Sequence, residues 1–132
     1  MVDFEFFEEK IIKRNKEYKK AFFGLIDAFG SYINSLPPAL RERIVMVQCA
    51  EGSTGDGQPW KGKPLDKEQD ISDEDWNDFR LEAWARYQKA MPGMPILVNA
   101  DANGSEESQW LIDNMQVVAL KQGMFSHGYL VS

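Results

Sequence analysis

Histidine and cysteine are almost missing from this chain of 132 residues: His127 and Cys49 are the only ones. A single cysteine cannot close an intramolecular disulfide, so the mark of an oxidising compartment is absent. A single histidine rules out a multi-histidine metal site. A thiol–imidazole pair would have to be Cys49 with His127. Cys49 sits in an apolar run, where a thiol is ordinarily an inert core group. No stretch approaches the roughly 18 apolar residues that would span a bilayer. The first ten residues carry Asp3, Glu5, Glu8 and Glu9 and lack the basic start and apolar run of a secretory leader. These absences together give the expectation of a cytoplasmic protein with no membrane segment.

Positive charge is in the minority, with 15 Lys and Arg against 21 Asp and Glu, a formal net charge of −6. An acidic chain is repelled by phosphate backbones and anionic lipid, so nucleic acid is a poor candidate partner. The imbalance is local. Residues 1–50 hold 8 basic and 7 acidic side chains, and residues 51–132 hold 7 and 14. The basic ones cluster at Lys10, Lys13, Arg14, Lys16, Lys19 and Lys20. Such polarity suits either a basic partner for the acidic part or a solvated face laced with i,i+4 pairs such as Glu9–Lys13.

Hydrophobic residues make up 43% and aromatics 12%, enough for one core, and the length fits a single domain over residues 1–132. The pattern predicts an α+β fold: a long N-terminal amphipathic helix and a second amphipathic helix packed on a small mixed β-sheet with a C-terminal hairpin. The first helix covers residues 4–35, on the three- and four-residue spacing of Phe4, Phe7, Ile11, Tyr18, Phe22, Leu25, Phe29 and Tyr32. Phe23, Ile26 and Ile33 widen that face. Pro37 and Pro38 end it, and residues 38–43 add a helical turn. An apolar run at 44–50 reads as a buried strand, and 51–71, rich in Gly and Pro, as a flexible loop. Ser72 with Asp75 resembles a capping box that opens the second helix. Its apolar stripe is Trp76, Phe79, Ala83, Trp84, Tyr87 and Met91, and Pro92-Gly93 stops it. A strand at 95–100, a turn at 101–104 and a helix from Ser105 follow. A hairpin from 117–120 and 129–131 closes the chain.

A straight helix of about 30 residues would measure about 45 Å, against a radius of gyration of about 14 Å for a domain of this size. It would then project, and its apolar residues Phe4, Phe7, Ile11 and Tyr18 would need cover, most simply from a second copy. A bend at Gly24 or Gly30 would instead give two ordinary core helices.

Motifs for chemistry fail on inspection. Residues 57–64 match the glycine and lysine positions of a phosphate-cradling loop. The last position should be Ser or Thr for magnesium and is Pro64, which also lacks the amide hydrogen of a phosphate nest. Asp101, Asn103 and Ser105 alternate like a calcium loop, but Glu106 stands where Gly is required and Ile112 where Glu is required. No catalytic residue, metal site or cofactor follows.

The leading expectation is a non-enzymatic acidic binding protein. It would occupy a partner's surface in the manner of an inhibitor, immunity protein or antagonist, from bacterium or phage, and would itself form a homodimer. Asp73, Asp75, Trp76, Asp78, Glu82, Glu106 and Glu107 would face a basic protein partner. One alternative is a small-molecule or nucleotide-binding domain with a cleft near the 51–71 loop, its contacts drawn from Trp60, Lys61, Lys63, Asp101 and His127. Another is an assembly component that oligomerises through the first helix.

Overall fold

In the computed structural model, residues 16–52, 57–59, 67, 70–99 and 105–121 are described. Helix α1 spans Lys16–Ser35, followed by a single turn, α2, at Pro38–Arg41. Strand β1 is short, Val47–Gln48. Helix α3 runs Asp73–Ala90, strand β2 Ile96–Asn99, helix α4 Ser105–Asn114 and strand β3 Val118–Lys121. The α+β architecture matches the sequence reading, with helices packed on a small sheet.

The sheet order is β1-β2-β3, and both pairings are parallel, with Val47 beside Ile96 and Ile96 beside Val118. Parallel neighbours need long crossovers, and helices α3 and α4 lie in them. A mixed sheet was expected. The described strands are all parallel, because a helix rather than a tight turn lies between each strand and the next. The antiparallel arm expected at 129–131 lies outside the described residues, as does the part of the first helix before Lys16.

Alternation along the strands directs Val47, Cys49, Ile96 and Val98 into the core, where Trp84, Tyr87, Met91, Leu111 and Met115 meet them. A second cluster, Ile71, Trp76 and Phe79, packs under Tyr18, Phe22 and Phe23. The aromatic rings Phe23 and Phe79 stack with centroids 6.1 Å apart, and Trp76 on Phe79 at 5.4 Å. All six residues of the expected α3 stripe are buried. Ser72 caps the helix as its sequence implies, its hydroxyl accepting from the Asp75 amide at 3.1 Å. Gly93, at φ +75°, makes the left-handed turn that ends it.

Helix α1 is continuous through Gly24 and Gly30. The two glycines differ in role. Among the described residues a Cβ on Gly24 would meet nothing within 4 Å, whereas one on Gly30 would lie 2.6 Å from both the Cβ and the carbonyl oxygen of Ala90. Gly30 is where α3 crosses α1. Asn34 donates to the Ala90 carbonyl at 2.9 Å just beyond, and the Arg86 guanidinium forks onto Asp27 on the other side.

That crossing rotates α1 relative to expectation. The core line is Ile26, Gly30 and Ile33, with Phe22 and Phe23 beside it. Leu25 and Tyr32, at seven-residue steps from Tyr18, are 65% and 61% exposed. The smallest residue sets the line of closest approach, so the larger side chains of the stripe point outward.

Candidate functional site

Two places stand out once the fold is assembled. The first is an open apolar groove of about 550 Å³ between α1 and the edge strand β1. Ile26, Ile33, Val47 and Tyr87 line it from the core side, and Leu25, Phe29 and Met46 form its outer wall. Phe29 and Met46 are each 41% exposed. Apolar side chains that line one concave surface without cover are uncommon and mark places where proteins meet other molecules.

The second is a buried polar cluster at the carboxyl ends of β1 and β2. Glu51 follows β1, Asn99 ends β2, and Arg80 reaches them from the middle of α3; all three are buried. The Glu51 Oε1 accepts from the Trp84 indole at 2.9 Å and from Arg80 Nε at 3.5 Å. Arg80 Nη2 donates to the Asn99 carbonyl at 2.8 Å, and its guanidinium lies 4.8 Å from the Trp84 ring centroid. Among the described residues, Glu51 Oε2 and Arg80 Nη1 have no hydrogen-bond partner.

Cys49 is fully buried beside this cluster. Burial first, and the Glu51 carboxylate second, push its thiol well above the usual range, so it is a protonated core group and no nucleophile at neutral pH. Tyr87 accepts a long hydrogen bond from the Ala50 amide, at 3.4 Å. Burial, with Cys49 and Glu51 adding to it, raises its phenol to about 12. The folded value lies above the ordinary 10, so the stabilisation from the neutral phenol is complete below pH 10 and is lost as pH rises toward 12. Alkaline unfolding titrations should therefore show a loss of about 1–2 kcal/mol across that window, reduced in Tyr87→Phe to what the raised Tyr18 phenol and Cys49 thiol contribute.

The acidic residues expected to face a partner divide. Asp73, Asp75, Asp78 and Glu82 lie exposed on the outer side of α3, and Glu106 is exposed at the start of α4. Glu82 pairs with Lys19 at 2.7 Å. Trp76 is core rather than rim, 4% exposed with its indole donating to the Gly57 carbonyl at 2.8 Å. Glu107 is likewise buried, at 6%. Both fall on the inward side of their helices, where α3 meets the Tyr18–Phe22–Phe23 cluster and α4 meets the core. Tyr18, expected at an oligomer interface, is half-buried with its ring 6.2 Å from that of Phe79. Phe4, Phe7 and Ile11, and the ligand candidates Trp60, Lys61, Lys63, Asp101 and His127, lie outside the described residues.

Sequence reasoning passed over Glu51, Arg80 and Asn99. A signal for them was present. Arg80 stands four residues after Trp76 and four before Trp84, inside the apolar arc of α3, and Glu51 follows the apolar run 44–50 directly. A cation on an apolar arc implies a buried anion to meet it.

Among the described residues no group of three His, Cys, Asp or Glu could hold a metal ion, and no helix is long and apolar enough to cross a membrane. Comparison with protein-family models, curated proteins and solved structures finds no match to this chain.

Proposed function

We propose that this chain is a non-enzymatic binding protein that acts by occupying the surface of another macromolecule, with the groove between α1 and β1 as its docking surface. The groove carries this reading, since Leu25, Phe29 and Met46 stand exposed around one apolar concavity. An apolar anchor placed there would lose its water against both helix and strand, as interface hot spots do. The exposed carboxylates Asp73, Asp75 and Asp78 add a negative field, which suits a basic protein partner and speeds its encounter. The cytoplasm is the compartment that fits the lone buried thiol. A second copy of the chain could fill the same groove, which makes a homodimer the form this stripe favours in the absence of the partner.

A photo-crosslinking residue at Leu25 tests this directly. Irradiation in extract of the source cell should give a discrete adduct that weakens with added salt and disappears in Phe29→Glu. The purified protein alone should give an adduct of twice the chain mass. A crosslinker at Gln116, exposed between α4 and β3, serves as the reference position. Equal, diffuse labelling from Leu25 and Gln116, unaffected by Phe29→Glu, would count decisively against the groove as a docking surface.

A further inference from the structure

We infer that the carboxyl edge of the sheet, between the ends of β1 and β2, is a binding site for a small neutral molecule carrying an amide or imide edge, held by Arg80 and Glu51. The inference is independent of the groove, which lies on the α1 side of β1.

Four observations carry it. The side chains of Arg80 and Glu51 are both fully buried, yet their closest approach is a long 3.5 Å. Among the described residues each keeps one polar atom unmatched, Nη1 on the guanidinium and Oε2 on the carboxylate. A buried pair is tolerated when its remaining donors and acceptors are met, and an unmatched atom carries its full desolvation cost. Finally, the cluster sits at the carboxyl ends of two adjacent parallel strands, the side of such sheets where ligands collect.

The chemistry selects the occupant. The pair is already balanced in charge, so an ion would bring an uncompensated charge into a buried site. What is missing is one acceptor for Arg80 Nη1 and one donor for Glu51 Oε2. Covalent geometry keeps these two atoms within the span of one small molecule, because each belongs to the same planar group as an atom of the 3.5 Å contact. A carboxamide or a cyclic imide offers a carbonyl and an N–H on one edge, and is neutral.

Acetamide, propionamide and uracil are the probes, applied to the full chain in thermal unfolding and in native mass spectrometry. At least one should bind with one equivalent per chain and raise Tm by about 10 °C at a hundredfold excess over its Kd. Response to the two carboxamides alone assigns an open-chain carboxamide, and response to uracil alone a cyclic imide. The double variant Glu51→Met/Arg80→Met preserves charge balance and apolar volume; it should fold and bind none of the three. The wild-type arm decides the matter even where that variant fails to fold. A wild-type protein that stays at its bare mass and unchanged Tm with every probe has only water at this edge, and the inference falls. It falls equally if the folded double variant binds as the wild type does.

Discussion

Glu51→Ala should destabilise the fold by about 3–5 kcal/mol, the usual result of stripping one partner from a buried ion pair. Three losses coincide. The Arg80 guanidinium, with no exposed side-chain surface, keeps its charge in the core without a counter-ion. The Trp84 indole loses its acceptor at 2.9 Å. The removed atoms also leave a void that the surrounding packing cannot fully close. Against the 5–15 kcal/mol typical of a domain, this is a large part of the total. Urea denaturation followed by tryptophan fluorescence will measure it, as a lower midpoint at nearly constant slope. Glu51→Gln should cost less, because the amide oxygen still accepts from Trp84 while the charge on Arg80 goes unmet. A Glu51→Ala protein within about 1 kcal/mol of wild type would mean that solvent reaches the cluster, contrary to its burial.

The second large effect lies at the crossing of α1 and α3. Gly30→Leu should cost about 3 kcal/mol or more, at the upper end of overpacking. Even the first carbon of the new side chain would stand 2.6 Å from the Ala90 carbonyl oxygen and 2.9 Å from its carbon, which are backbone atoms that cannot swing aside. The helices would have to separate, disturbing the Asn34 bond to Ala90 and the Arg86–Asp27 fork. Gly24→Ala in the same helix should do the reverse. Its Cβ meets nothing among the described residues, so the gain in helix propensity stands alone, about 1 kcal/mol of added stability. Thermal unfolding of the two variants side by side gives opposite signs if the crossing is as described. Similar shifts in both would remove Gly30 from the interface.

How much of this was legible in advance depends on the range of the interaction concerned. The start of α3 was readable because Ser72 and Asp75 cap it through bonds three residues apart. Its end was readable because Pro92 and Gly93 act on their own backbone. The α3 stripe was readable for a related reason: one face of a helix repeats every 3.6 residues whatever it packs against. For α1 the same rule gave too broad an apolar face to choose from. Tyr18, Phe22, Phe23, Leu25, Ile26, Phe29, Tyr32 and Ile33 all lie on it, and which of them turn inward depends on where α3 crosses. The groove is the consequence, since Leu25 and Phe29 are left facing outward beside Met46.

The amino-acid order by itself determined an α+β domain of helices and short strands, the ends of α3, an inert thiol and an acidic surface, because each of these follows from composition or from neighbours a few residues apart. Tertiary structure alone decided that the described strands run parallel, that Gly30 is a crossing point rather than a bend, and that Glu51 meets Arg80 across 29 residues of chain. Those outcomes depend on which distant surfaces fit together, and local pattern carries no information about a partner that only folding brings near.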